Sequence, residues 1–238
     1  MRRILITNDD GIAADGLRRL AEAAADLGEV WIVAPDGQRS AASHSITLHT
    51  HLDIRPYDYP VPGVRAFTCT GMPADCVRAG VLRILPAKPD VVLTGVNYGY
   101  NLASDTQYSA TVGAALEAAF QGIRAIALSE AAHPSHEATD RYLTPVLEEL
   151  IDRPLGHGQI FNVNFPGGAR GPCRGILRDR AVSRGMMYRD RYNILETLPD
   201  GGLRLMVEGQ YNEDAEPGTD FRAIVDRYVS IGIVNNLG

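Results

Sequence analysis

Residues 3–12 read RILITNDDGI, and this stretch decides the fold. The run Ile4-Leu5-Ile6 is apolar without alternation, the pattern of a parallel strand buried on both faces. It stops at Asn8, and Gly11 permits a sharp turn before a helix. Asp9 and Asp10 therefore stand side by side where a buried strand ends. Adjacent carboxylates repel and raise one another's pKa unless a cation lies between them. At the mouth of an α/β sheet a metal ion meets that need.

The rest of the chain extends the same pattern. From Asp15 onward Leu17, Leu20, Ala21, Ala24 and Leu27 recur at helical spacing. Strand-like runs follow at 29–34 (EVWIVA), 65–70 (RAFTCT), 90–96 (DVVLTGV), 125–129 (AIALS) and 160–165 (IFNVNF). Helical stretches lie between them: one carrying Val77, Val81, Leu82 and Leu85, one over 114–120, and one over 138–151. Residues 46–59, with β-like alternation broken by prolines, read as an excursion off the main sheet. Alternating strands and helices imply βαβ units with right-handed crossovers, hence an α/β, doubly wound, mostly parallel, Rossmann-like sheet. After about residue 175 the texture changes to Arg-, Asp- and Tyr-rich sequence with a hairpin-like turn at Gly201-Gly202. The reading is one α/β domain over 1–238, with a core to about 175 and a C-terminal β-hairpin or arm over about 176–238. The tail lacks the apolar periodicity for a core of its own and is expected to pack on another subunit.

Composition narrows the function. With 238 residues and a net charge of -6, the chain lacks the concentrated basic surface that a nucleic acid polymer or an anionic membrane would call for. A small anionic substrate stays open, because a bound metal outweighs the global sign locally. Lys88 is the sole lysine, so the arginine content is chain-wide and marks no site. Cys69, Cys76 and Cys173 are widely spaced without a metal-binding pairing and read as small buried hydrophobes in a reducing compartment. No run approaches the ~20 apolar residues of a membrane span. A cytoplasmic protein is expected.

In open α/β sheets ligands bind outside the carboxyl ends of the strands. Asp9 and Asp10 lie at the end of the first strand, Ser40 after the second, Asn97 after 90–96, and Ser109-Ala110-Thr111 at a helix start. Two carboxylates, a hydroxyl and an amide oxygen are hard ligands suited to Mg²⁺ or Mn²⁺. The helix N-terminus with Ser109 and Thr111 makes a phosphate seat. Each residue alone has an ordinary explanation: Asp9-Asp10 as a turn and N-cap, Ser109 as an N-cap, Ser40 as one of several loop serines, Asn97 as a turn residue. Their gathering at one sheet edge favours the metal and phosphate reading. Among the histidines only His44 is a candidate to support the site from outside.

The segments ILITNDDGI (4–12), VAPDGQRSAASHSITL (33–48), GMPADCV (71–77), PDVVLTGVNYGYNLASDTQYSATVGAALEAA (89–119), FNVNFP (161–166) and EPGTDF (216–221) resemble the stationary-phase survival protein SurE family of metal-dependent nucleotidases. The resemblance implies one divalent metal ion per subunit on Asp9, Asp10, Ser40 and Asn97. It implies phosphate binding at Asn97, Ser109, Ala110 and Thr111, and hydrolysis of nucleoside 5′- and 3′-monophosphates with some exopolyphosphatase activity. A homodimer or homotetramer with an exchanged C-terminal arm is implied as well. The family usually has threonine where Met72 stands and glycine where Ala110 stands; a methyl at the phosphate-cradling turn would crowd the backbone approach that glycine allows. The closing GIVNNLG also lacks the proline-containing end expected of the family.

The catalytic expectation is phosphomonoester hydrolysis with Asp9 and Asp10 as catalytic residues, Asp9 activating the attacking water. Direct aspartate attack is the open variant. Two rivals stand beside it. A nicotinamide-dependent oxidoreductase is disfavoured because NDDGIAADG replaces G-x-G-x-x-G and its carboxylates would repel a pyrophosphate. A non-catalytic nucleotide-binding or assembly module is the other.

Overall fold

The computed structural model describes residues 1–168 and 171–236; Leu237 and Gly238 of the C-terminal close lie outside them. The first strand, β1 (Arg3–Thr7), lies inside a nine-stranded sheet, and its Ile4, Leu5 and Ile6 are fully buried. Each such side chain contributes about 1.5–3 kcal/mol relative to exposure. The next elements are α1 (Asp15–Ala25), β2 (Glu29–Pro35), β3 (Ile54–Tyr57), β4 (Arg65–Cys69), α2 (Pro73–Ala79), β5 (Val91–Tyr98), α3 (Ala110–Phe120), β6 (Arg124–Glu130), α4 (Glu137–Leu150) and β7 (Gln159–Phe165). Then follow β8 (Ile176–Arg180), β9 (Tyr188–Thr197), β10 (Leu203–Tyr211), α5 (Asp220–Val225) and β11 (Val229–Asn235).

The sheet order is β3-β4-β2-β1-β5-β6-β7-β11-β8. β1 is flanked in parallel by β2 and β5, so the chain winds outward from β1 in one direction and, after β4, returns to wind outward in the other. The gap between β1 and β5 is the topological switch point, where such sheets open a crevice. Leu17 and Leu20 of α1 share one core layer with Leu143, Val146 and Leu147 of α4, while Cys76 and Val77 of α2 share the other with Val112, Ala115 and Ala118 of α3. The doubly wound, mostly parallel fold follows from these two layers. No helix among the described residues is long and apolar enough to cross a membrane.

Three segments differ from the sequence reading. Residues 54–57 are on the sheet: β3 pairs antiparallel with β4 at its edge, where Pro56 is tolerated because an edge strand has a side that pairs with nothing. The helix at 73 gives way after Ala79 to a π-helical turn, Gly80–Ile84, that leaves Leu82 exposed. In the tail, β11 pairs with β7 and β8, carrying the main sheet beyond residue 175. Ala215, Phe221 and Ile224 pack with Leu102, Ala103 and Met187 in a small core, so the tail is anchored on its own chain. The partners in that core lie about a hundred residues apart, so periodicity within the tail does not reveal it. The antiparallel hairpin of β9 and β10, paired only within itself, is the projecting arm.

Candidate functional site

The loop after β1 is built by Asn8. Its side-chain amide donates to Gly11 O at 2.9 Å while its Oδ1 accepts from Gly11 N at 3.2 Å, and Gly11 takes φ 101°, a value that favours glycine. This turn presents Asp9, 3 % exposed, at the sheet edge. Thr111 Oγ1 donates to Asp9 Oδ1 at 2.5 Å, and Arg39 N donates to Asp9 O at 2.7 Å. Burial raises the Asp9 carboxyl to about 6, the Thr111 bond opposes that rise, and Asp10 adds to it. Asp10, which accepts from Tyr98 N at 3.1 Å, is also raised, by burial first and by Glu130 in addition.

The loop carrying Ser40 is pinned to the start of α3. Ser43 N donates to Tyr108 O at 3.0 Å and Ser43 Oγ to Gln107 O at 2.7 Å. The contact depends on Gly113, because a Cβ there would lie 2.5 Å from Ser43 O and 2.9 Å from the His44 Cα. His44 turns to Glu117 of α3 at 3.0 Å, buttressing the far side of the loop. Asn97 donates from Nδ2 to Gly99 O at 2.8 Å, which leaves its amide oxygen as the free ligand atom.

A cleft of about 330 Å³ gathers Asp9, Ser40, Asn97 and Ser109, with Asn101, Asp105, Tyr98, Tyr108, Tyr188 and Asp190 on its remaining wall. Asp10 borders a neighbouring hollow of about 240 Å³ with Asp15, Glu130 and His136. Ser109 Oγ accepts from Val112 N at 3.0 Å; as the cap of α3 it keeps its own proton to donate. Thr111 spends its hydroxyl proton on Asp9, so at the phosphate seat it offers its backbone N–H. Ala110 is fully buried and is not among the residues lining the cleft, so it too can offer only backbone N–H. Met72, the other departure, precedes α2, and its backbone N donates to Asp75 Oδ2 at 2.9 Å.

Several wall residues are invisible to strand-end reasoning. Asn101 sits in a buried amide network in which its Nδ2 donates to Ser129 Oγ at 2.7 Å and its backbone N to Asn164 Oδ1 at 2.9 Å. Glu130 closes β6 and accepts from Arg19 at 3.0 Å and from Thr139 Oγ1 at 2.6 Å. The signal available in sequence was a carboxylate ending the apolar run AIALSE. Tyr188 and Asp190 come from β9, in the segment assigned to the arm.

The donor set fits a hard divalent cation. Asp9 is bonded by Thr111 and Asp10 by the backbone N of Tyr98, while Arg19 is committed to Glu130 and Asp140. Among the described residues no group of three or more His, Cys, Asp or Glu side chains is placed to hold a metal; the hydroxyl of Ser40 and the amide oxygen of Asn97 are further oxygen donors on the cleft that Asp9 lines.

Known proteins resemble this chain over nearly its whole length. Residues 4–187 match the family described as "Survival protein SurE". The "5'-nucleotidase SurE" of Synechococcus sp. (strain JA-3-3Ab) is 38% identical over 235 residues, covering 96% of this chain and 89% of that protein. The "5'/3'-nucleotidase SurE" of Cronobacter sakazakii (strain ATCC BAA-894) is 38% identical over 96% of this chain and 88% of its own length. The crystal structure of the SurE protein from Aquifex aeolicus superimposes with a TM-score of 0.82 at 32% identity, covering 99% of this chain and 94% of that one. With matching motifs, fold and near full-length similarity, this chain belongs to the survival protein SurE family.

Proposed function

We propose that this protein is a 5′-nucleotidase, a phosphomonoesterase acting on nucleoside 5′- and 3′-monophosphates with one divalent cation, Mg²⁺ or Mn²⁺, per subunit. The observation that carries the reading is the convergence of Asp9, Ser40, Asn97 and Ser109, from four separate segments, on one cleft at the switch point of the sheet. The names of the relatives support the same activity. Asp9, Asp10, Ser40 and Asn97 are the residues that would hold the cation, which when bound supplies charge neutralisation at the phosphoryl oxygens.

The chain's own groups account for the rest. The Ser109 hydroxyl and the first-turn N–H groups of α3, which have no intrahelical acceptor, receive phosphoryl oxygens. Asp9, its carboxylate held by Thr111, accepts the proton of a water entering opposite the leaving alcohol. Turnover of short-chain polyphosphate is also implied by the family resemblance.

The hairpin supports assembly. A two-stranded ribbon is marginal alone in water, and Tyr192, Ile194, Leu205 and Val207 are all exposed on this one. Leu205 lies opposite Ile194 and Val207 opposite Tyr192, so the four share an apolar face that fits exchange of the arm in a homodimer or homotetramer. Phosphate release from a nucleoside 5′-monophosphate in Mn²⁺ buffer tests the enzymatic reading: Asp9→Asn and EDTA should each abolish it. Near-wild-type release by Asp9→Asn, with its circular dichroism unchanged, refutes the assignment.

A further inference from the structure

Arg19 is a basic side chain that would compete with a cation for Asp10, and the fold holds it elsewhere. It stands on α1 one turn beyond Asp15, which borders the same hollow as Asp10, and its side chain is mostly buried. Its Nη1 donates to both oxygens of Glu130, at 3.0 and 3.2 Å, and its Nη2 donates to Asp140. Its Nε lies 4.0 Å from Asp15. Glu130 is built to take this charge. It ends β6, is 3% exposed and lines the hollow with Asp10. Successive amides at the end of β5 tie the two residues together: Tyr98 N donates to Asp10 Oδ2 at 3.1 Å, and Gly99 N to Glu130 O at 3.0 Å. From the other side Thr139 Oγ1 donates to Glu130 at 2.6 Å, and His136 Nδ1 stands 2.9 Å from it. Glu130 does not line the cleft of Asp9, Ser40 and Asn97, so no ligand role occupies this buried carboxylate.

We infer that Glu130 is a positioning residue for the reaction: by taking the Arg19 guanidinium it keeps Asp10 free to act as a cation ligand. The inference rests on the reading of Asp10 as a ligand and deepens it. A guanidinium presents a rigid fork that matches a carboxylate with two parallel hydrogen bonds. Removing one partner of a buried ion pair leaves an uncompensated charge, which is strongly unfavourable. With the Glu130 charge gone, Arg19 gains by turning to Asp10. That contact would occupy the oxygens, and cancel the charge, that a divalent cation needs from Asp10. Removing both members of the pair leaves nothing to compete, so the site recovers.

The test is Mn²⁺ binding without substrate, read from the electron paramagnetic resonance of free Mn²⁺, with circular dichroism checking each fold. Glu130→Gln should raise the Mn²⁺ Kd about tenfold or more, and Arg19→Met/Glu130→Gln should return it to within about threefold of the wild type. Recovery on loss of the second charge is a result that a merely structural role for Glu130 would not give. An unchanged Kd in Glu130→Gln, or a double variant that binds as weakly as the single one, overturns the inference and leaves Asp10 as a ligand. If Glu130→Gln does not fold, the double variant decides: a Kd near the wild-type value supports the inference, and a weakened one overturns it. No Mn²⁺ binding by the wild type overturns the reading of Asp10 as a ligand and the inference with it.

Discussion

Thr111 Oγ1 donates a 2.5 Å hydrogen bond to Asp9 Oδ1, joining the first turn of α3 to the end of β1 across 102 positions of sequence. The bond works against the burial that raises the Asp9 carboxyl, and it fixes which oxygen of that carboxylate is left for other partners. A hydroxyl read from sequence as a phosphate donor is bonded to Asp9.

Thr111→Val keeps the shape of the side chain and removes only the donor. Partners of ligating carboxylates are typically worth 10–100-fold in metal affinity or activity. The Mn²⁺ concentration giving half-maximal turnover should rise about tenfold or more, and Thr111→Ser should restore it. Equal metal dependence in Thr111→Val and wild type would remove the role assigned to this bond.

The raised Asp9 carboxyl makes metal-free stability depend on pH. Its folded value of about 6 exceeds the ordinary 3.8, so the folded state holds the proton more tightly than the unfolded chain. The stability it contributes is complete below the unfolded value and is lost as pH rises through the folded one. In EDTA, urea unfolding of the wild type should lose up to roughly 3 kcal/mol from this group between about pH 4 and 7. Asp10 is raised too and adds in the same direction. Asp9→Asn should flatten that slope, and Mn²⁺ at pH 7 should recover stability in the wild type alone; an identical slope in the variant counts against the assignment.

Gly113→Ala introduces a methyl where Ser43 O would stand 2.5 Å away. The loop must move, because the contacts are backbone and cannot rotate aside. Overpacking of this kind costs about 1–3 kcal/mol, and it displaces the segment carrying Ser40. A lowered thermal midpoint together with weakened Mn²⁺ dependence is the expected pair of results. A lowered midpoint with unchanged metal dependence would show that Ser40 is not held through this contact.

Leu205→Ser/Val207→Ser removes two of the four apolar side chains on the exposed face of the hairpin. Sedimentation velocity should report a dimer or tetramer for the wild type and a shift toward monomer for the variant. An unshifted sedimentation coefficient would mean that assembly uses another surface.

How much of this was legible beforehand can be argued residue by residue. Asp9 and Asp10 were visible because carboxylates at the end of an unbroken apolar run have no place in a dry core. The mostly parallel sheet was visible because strands buried on both faces read as solid hydrophobic runs. The tail was misjudged because β11 is buried against β7, with Ile231 opposite Val163, and such a pairing leaves no period in either segment. Tyr188 and Asp190 escaped notice because they stand on β9, far along the chain from the strand ends that form the rest of the cleft wall.

Sequence by itself determined the fold class and the family, since these depend on local patterns and on which side chains are present. Tertiary structure decided which of the candidate side chains meet. Only the folded chain brings Thr111 to Asp9 and gathers Asp9, Ser40, Asn97 and Ser109 in one cleft. Hydrogen bonding, burial and charge repulsion act over a few ångströms in space, and the chain places those neighbours tens of residues apart.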